Sequence, residues 1–192
     1  MKQLLFLTLY ALIGLTAIGQ SPKKVVKKLG DNPLFFIDSV SVDNTELTKY
    51  SPTEIAQVTV YKGKEAKDLF GEDGKDGVVY IFTKKYTKSK YWTYFQSKSD
   101  DYKKLVPTAE SDTSVQYILN KRVLKENFEG DLFLIDDTTF KSTRLLTKET
   151  LQKEFNVMDK EFGFQIMLID DPVKKRQHPF FFYLPVVIPL LK

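Results

Sequence analysis

The residues with the clearest potential for chemistry lie in one short turn, "GEDGKDG" (residues 71–77), where three glycines surround Lys75. Glycine-rich turns beside a lysine bind phosphate in several classes of protein. However, this turn matches neither the P-loop spacing G-x-x-x-x-G-K-S/T nor the dinucleotide-binding spacing G-x-G-x-x-G. Its acidic residues (Glu72, Asp73 and Asp76) would repel a phosphate, and they do not follow the spacing of a calcium loop. We therefore expect a folding turn without a bound phosphate or metal, in which the glycines allow a sharp reversal of the chain.

The usual catalytic and metal-binding groups are scarce in the rest of the chain. It contains one histidine, His178, and no cysteine, so we expect no imidazole cluster, no Ser-His-Asp triad and no thiolate chemistry. Two carboxylate pairs, Asp136–Asp137 and Asp170–Asp171, could serve as the acid pair of a hydrolase. Adjacent residues of a strand point to opposite faces, however, and such pairs usually mark turns at strand ends. The sequence therefore predicts a protein that is not an enzyme, with no catalytic, cofactor-binding or metal-binding residue and no cofactor.

One segment, "KKYTKSKYWTYF" (residues 84–95), interleaves lysines with aromatic residues. Stacking platforms for single-stranded nucleic acids are built in this way. The alternative is an amphipathic connector whose aromatic rings pack against a sheet while the lysines stay in water. The net charge of the whole chain is only +4, which is too small to indicate nucleic-acid binding. We favour the connector and expect no nucleic-acid partner.

The N-terminus has the pattern of an export signal. Lys2 precedes an apolar run over residues 4–18, and small residues precede Gln20. This pattern predicts a signal peptide over residues 1–19 that is removed from the mature protein. The alternative is an N-terminal membrane anchor, but the run is shorter than the roughly 18–20 apolar residues that spanning requires. We expect an exported protein, periplasmic or associated with the outer membrane, with no transmembrane span after signal removal.

Local patterns predict the elements that position these residues. They are two short strands joined by a tight turn at Asp38–Ser39, a capped helical turn over 51–54, a strand over 56–61, a short helix that ends at Gly71, and a strand over 78–83. The last of these strands, "VVYIFT", is too apolar to have a face open to water.

The same order of features returns after about 82–86 residues. Residues 115–124 resemble 33–42, residues 139–155 resemble 55–70, and residues 156–169 resemble 71–82. In this alignment Phe155 stands opposite Phe70, and Gly163 stands opposite Gly77. The alternative is a coincidence between two β-α-β segments. We expect an α/β (α+β) fold made of two tandem small β-α-β units with mixed sheets, in which Phe70 and Phe155 occupy equivalent core positions.

The predicted organisation has five parts. They are the signal peptide (1–19), a flexible leader (20–32), a first unit (33–86), a linker (87–111) and a degenerate second unit (112–192). The second unit ends in an apolar segment, Phe180 to Leu191, which two prolines interrupt. This segment is either an edge strand or an exposed anchor for a partner or membrane, and the prolines favour the edge strand.

The first unit resembles the later half of the plug domain of TonB-dependent outer-membrane receptors. That family has a strand, a turn that begins with Asp, a short helix introduced by Lys-Gly and ended by Gly, and a final strand that leads to Thr-Lys. The matching residues are Asp38, Pro52, Ile55, Val58, Val60, Lys62, Gly63, Ala66, Leu69, Phe70, Gly71, Gly77, Val78, Ile81, Thr83 and Lys84. The resemblance covers residues 33–85 and, weakly, 115–170.

The resemblance implies the α/β fold of the plug and a location in the cell envelope. The sequence departs from the family pattern at Ser39, where a glycine is usual, and it lacks both the earlier half of the plug and an energy-coupling box. We expect a stand-alone plug-like protein, because the alternating strands of a large outer-membrane barrel do not follow the first unit.

The predicted function is therefore that of a non-catalytic binding or interaction module of the Gram-negative envelope. Its expected partner is an outer-membrane transport component of the TonB-dependent type, or a peptide or small ligand. The alternative is a structural or adaptor protein of the envelope without a small-molecule ligand.

Overall fold

The computed structural model of the protein describes residues 29–169. The predicted signal peptide, the first part of the leader, His178, the pair Asp170–Asp171 and the apolar segment 180–191 lie outside the described residues. Within residues 29–169, no helix has both the length and the apolar character that are needed to cross a membrane.

The strands form two four-stranded mixed sheets. The first sheet contains β1 (Leu34–Ile37), β2 (Val40–Val42), β3 (Ile55–Tyr61) and β4 (Val78–Thr83), in the order β2-β1-β4-β3. The second contains β5 (Gln116–Leu119), β6 (Arg122–Val123), β7 (Phe140–Thr147) and β8 (Phe162–Leu168), in the order β6-β5-β8-β7. In each sheet the two central strands are parallel and both outer pairs are antiparallel. The predicted α+β fold with mixed sheets is confirmed.

Five α-helices and several short 3₁₀ helices connect the strands in this part of the chain. The α-helices are α1 (Gly63–Phe70), α2 (Lys84–Lys98), α3 (Asp100–Leu105), α4 (Glu129–Phe133) and α5 (Lys148–Phe155). The 3₁₀ helices include Pro52–Glu54, where Ser51 and Glu54 form the predicted capping box. Thr83, Ser99 and Thr147 cap α2, α3 and α5, because each side chain accepts a hydrogen bond from a backbone N–H of the first turn. The starts of these three helices are thus encoded locally.

The two units, β1–β4 with α1 and β5–β8 with α4 and α5, share details beyond the strand order. The pairing of β3 with β4 is irregular between Ile55 and Gln57, and that of β7 with β8 is irregular at the equivalent point, between Phe140 and Ser142. A residue with positive φ follows each of the equivalent helices: Gly71 follows α1 and Asn156 follows α5. The fold is therefore an internal repeat of one structural unit.

The hairpin turn of each unit also holds the end of the last strand. Asp38 and Asn120 have positive φ (51° and 56°). The Oδ1 atom of Asp38 accepts a hydrogen bond from the backbone N–H of Thr83 at 2.7 Å, and Oδ1 of Asn120 accepts one from Leu168 at 3.0 Å. Asp and Asn suit this position because they tolerate the left-handed conformation and carry a short side-chain acceptor.

One matched pair in the sequence alignment is wrong. The parallel pairs Leu34–Val78 and Gln116–Gly163 show that Gly163 is equivalent to Val78 and not to Gly77. Alignment by residue type matched two glycines that have different structural positions, since β8 begins one residue earlier in the repeat than β4.

The second correction concerns Phe70 and Phe155, which occupy equivalent positions but are only partly buried. Each is the last residue of its helix, so its ring lies at the end of the helix–sheet contact. The fully buried residues of these helices are Ala66 and Leu151. The core contribution expected of the two phenylalanines is therefore smaller than that of Leu151.

Residues 87–111, predicted as a linker, form most of α2, all of α3 and the start of the 3₁₀ helix Glu110–Ser114. Thr87, Tyr91 and Phe95 follow the spacing of one helix face and are all buried. Tyr91 and Phe95, together with Tyr102, belong to the main hydrophobic core on the second sheet. These helices are thus a packed layer of the second unit.

The two units also contact each other. Helix α4 lies against β3 and α2, and the ring of Phe133 lies 5.0 Å from that of Phe82. The backbone of Gly130 approaches the carbonyl oxygen of Ala56 so closely that a Cβ atom at residue 130 would lie 2.8 Å from it. Helix α4 of the second unit therefore packs directly on the first sheet.

The end of the leader is attached to the first unit. The backbone N–H of Gly30 donates to the carbonyl oxygen of Asp76 at 2.9 Å, and that of Asn32 donates to the Asp76 carboxylate at 3.2 Å. Leu29 packs against the apolar cluster that contains Phe35. Residues 29–32, predicted as part of a flexible leader, are therefore held by the "GEDGKDG" turn.

Candidate functional sites

The "GEDGKDG" turn links α1 to β4 and contains the 3₁₀ helix Gly71–Gly74. Gly71 has a φ of 65° and Gly77 a φ of 98°. The side chain of Glu72 pairs with Lys67 at 3.2 Å, and Asp76 accepts from Asn32. Across residues 29–169, no group of three or more acidic or histidine side chains could hold a metal ion. The carboxylates of Glu72 and Asp76 therefore make local contacts.

We expect Gly71→Ala and Gly77→Ala each to lower the free energy of unfolding by about 1–2 kcal/mol, because a Cβ atom disfavours positive φ. A Cβ atom at residue 77 would also meet Leu29, so the effect should be larger there. Lys75→Ala should have almost no effect, since this exposed lysine lies on the surface of the turn. Urea denaturation of the three variants measures these values, and a cost for Lys75→Ala equal to that for Gly77→Ala would contradict the folding-turn interpretation.

The carboxylates of Asp136 and Asp137 have separate roles. Oδ1 of Asp136 accepts from the backbone N–H groups of Thr138 and Thr139 at 3.0 and 3.1 Å, which forms the turn before β7. Asp137 accepts from Lys98 at 2.6 Å and from Tyr94 at 3.0 Å. The hydrogen bonds from Lys98, and then from Tyr94, lower the pKa of Asp137. The two side chains therefore have different local partners.

A buried hydrogen-bond network surrounds Asp112, which is only 1% exposed. Tyr91 donates to its Oδ2 atom at 2.5 Å, and Tyr117 donates to Oδ1. The hydroxyl of Tyr102 lies 2.6 Å from that of Tyr117. The ammonium of Lys88, whose side chain is 25% exposed, lies 3.6 Å from Oδ2. The network joins α2, α3, the 3₁₀ helix Glu110–Ser114 and β5.

The electrostatics of this network favour a structural role. Burial raises the pKa of Tyr91, Tyr102 and Tyr117, and the charge of Asp112 raises it further. The hydroxyls therefore stay protonated at neutral pH and act as hydrogen-bond donors. The sequence analysis missed this network, because its tyrosines and its aspartate lie on different elements and follow no spacing that a motif would record.

The described part of the chain also contains a cleft of about 400 Å³ between β6 and the loop that leads to α4. Its lining residues are Arg122, Val123, Leu124, Lys125, Glu126, Phe128 and Asp131. Arg122 donates to Asp131 at 3.0 Å across the cleft edge. The sequence analysis missed these residues as well, since they form a site only after the hairpin and α4 pack together.

No protein-family model matches this chain, and no curated protein or solved structure shows significant similarity to it. The candidate sites therefore stand on the residues and geometry of the chain itself.

Proposed function

We propose that this protein is an exported, non-catalytic binding module of the Gram-negative cell envelope that associates with TonB-dependent outer-membrane transport components. It works in the periplasm or at the outer membrane. The proposal rests first on the residue pattern of the first unit, which resembles part of a TonB-dependent receptor plug.

The observation that carries the proposal is that the plug-like pattern coincides with one complete structural unit. Residues of the pattern lie at the turns and helix ends of this unit. Asp38 holds the end of β4, Gly63 begins α1, Gly71 ends α1, and Gly77 precedes β4 with positive φ. A pattern with several members at the turns and helix ends of one folded unit is more informative than a chance match of residue types.

The buried side chain of Asp112 supports the non-catalytic part of the proposal. Both oxygens of Asp112 accept hydrogen bonds from core tyrosines. A carboxylate that is engaged in this way stabilises packing and is poorly placed to exchange protons with a substrate.

The proposal is tested by cross-linking the tagged full chain in intact Gram-negative cells and identifying the proteins that co-purify from the outer membrane. We expect TonB-dependent receptors to be enriched over a control with an unrelated exported protein. Val40, at the hairpin of the first unit, is 64% exposed, and Met158, in the second unit, is 60% exposed. Val40→Asp should reduce the enrichment several-fold, whereas the matched control Met158→Asp should not.

Absence of any TonB-dependent receptor from the cross-linked material would refute the proposal. Enrichment of other envelope proteins alone would indicate the structural or adaptor role instead.

A further inference from the structure

We propose that the cleft between β6 and α4 binds a small zwitterionic ligand, namely an apolar amino acid or a short peptide that ends in one. This inference names a ligand class for the binding module proposed above, and so it rests on that proposal. It depends on three features: the restriction of the lining loop and helix to one unit, the apolar floor of the cleft, and the charges at its rim.

The loop and helix that line the cleft occur in only one copy of the repeat among the described residues. Val40 pairs with Ile37 as Arg122 pairs with Leu119, so Val40 occupies the position of Arg122 in the first unit. After β2 the first unit continues into the 3₁₀ helix Asn44–Lys49, whereas the second unit continues into the cleft loop and α4. Since the first unit folds without these features, the basic fold of the repeat does not require them.

The floor of the cleft is apolar and is fixed by the core. The ring of Phe128 lies 5.5 Å from that of Tyr117. The backbone N–H of Leu124 donates to the carbonyl oxygen of Tyr117 at 3.0 Å, and its carbonyl accepts from the buried side-chain amide of Gln116 at 2.7 Å. A surface held in this way loses little conformational entropy when a ligand binds.

The rim carries charges of both signs. The guanidinium of Arg122 is held at the edge by its 3.0 Å bond to Asp131, which uses Nη2. A guanidinium has five N–H donors, so the others can bind a carboxylate. Lys125 adds a second positive charge, and Glu126 adds an acceptor for an ammonium group.

These features together select the ligand class. An apolar side chain fits over Phe128, a carboxylate pairs with Arg122 or Lys125, and an ammonium pairs with Glu126. The volume of about 400 Å³ is within the range of small-molecule sites.

The test is isothermal titration of the full chain with four probes. They are L-phenylalanine, its amide, its N-acetyl derivative and the dipeptide L-alanyl-L-phenylalanine. We expect saturable binding of the amino acid or the dipeptide, in the high micromolar to millimolar range that suits an open site. The amide lacks the carboxylate and the N-acetyl derivative lacks the ammonium group, so each should bind about tenfold more weakly. Tighter binding of the amino acid would indicate a free amino acid as the ligand, and tighter binding of the dipeptide would indicate the end of a peptide.

Two variants with matched controls locate the binding. Arg122→Gln and Phe128→Leu should each weaken it at least about fivefold. The controls are Arg144→Gln and Phe140→Leu on β7. Arg144 is similarly exposed and forms its own ion pair with Glu154 at 2.9 Å, and Phe140 is also partly buried. Neither control should change the affinity.

Lack of saturable binding of all four probes up to about 10 mM, or equal losses in the controls, would overturn the proposal. Thermal unfolding checks that each variant is folded. If Phe128→Leu does not fold, the affinity of Arg122→Gln alone decides whether the ligand binds in the cleft. Cross-linking to a TonB-dependent receptor without amino-acid binding would reject this ligand class alone. Amino-acid binding without receptor cross-linking would reject the partner but not the cleft.

Discussion

Replacement of Asp112 by alanine should lower the free energy of unfolding by about 3–5 kcal/mol. The change removes the acceptor of the Tyr91 and Tyr117 hydroxyls, which lie in the core of the second unit. Each buried hydroxyl that loses its partner costs roughly 1–3 kcal/mol, and Lys88 loses its nearby countercharge. Urea denaturation followed by circular dichroism measures the loss.

Two further variants show whether the loss comes from the buried acceptor. Asp112→Asn keeps one carbonyl oxygen as an acceptor and adds an amide N–H that can donate to a rotated tyrosine hydroxyl, so it should cost less than the alanine variant. Asp137→Ala is the matched control, because Asp137 also accepts from a tyrosine and a lysine but is 78% exposed. Exposed pairs contribute about 0–1 kcal/mol. Equal costs for Asp112→Ala and Asp137→Ala would show that the network does not stabilise the core.

The effect should be concentrated in the second unit. Tyr91 lies on α2, Tyr102 on α3 and Tyr117 on β5, so the network ties the segment between the units to the second sheet. Amide hydrogen exchange in Asp112→Asn should therefore accelerate in α2, α3 and β5 before it accelerates in β1 and β4. The two units then differ in local stability although they share one topology.

Features that depend on local sequence were predictable. The capping box at Ser51 and Glu54, the helix end at Gly71 and the turn at Asp38–Ser39 each follow from conformational preferences and hydrogen bonds within a few residues. The repeat was detectable because it preserves the order of such local signals over a long stretch of chain.

Features that depend on packing between distant elements were not predictable in the same way. Nothing near Asp112 in the sequence shows that Tyr91 and Tyr117 converge on it. The cleft needs Arg122 from a hairpin and Asp131 from α4. The alignment of Gly163 with Gly77 failed for the same reason, since residue type conceals structural equivalence when two copies have repacked.

That repacking is clearest where a helix meets its sheet. In the first unit the equivalent residues are Ala66 on α1 and Val78 on β4, and in the second they are Leu151 on α5 and Gly163 on β8. All of them are buried. A Cβ atom at residue 163 would lie 3.1 Å from Cδ2 of Leu151. The large side chain has thus moved from the strand to the helix, and the second unit fills the space with Leu151.

Leu151→Ala should therefore lower the free energy of unfolding by about 3–5 kcal/mol, because neither the new alanine nor Gly163 can fill the space. Met158→Ala is the control, since Met158 is 60% exposed, and it should cost less than about 1 kcal/mol. Chemical denaturation of both variants provides the comparison. A Leu151→Ala variant as stable as the Met158→Ala control would show that α5 contributes little to the core.

The double variant Leu151→Ala/Gly163→Val recreates the residue pair of the first unit and separates two explanations of the repacking. If side-chain volume alone decides stability, valine at residue 163 should restore most of the free energy of unfolding that Leu151→Ala loses. We expect little or no recovery, because a Cβ atom at residue 163 would lie 2.5 Å from the carbonyl oxygen of Gln116, and backbone can move less freely than a side chain. Recovery to within about 1 kcal/mol of the parent protein would show instead that β5 and β8 can move apart to accept a side chain at residue 163. In that case the small size of Gly163 would be needed only because Leu151 lies next to it.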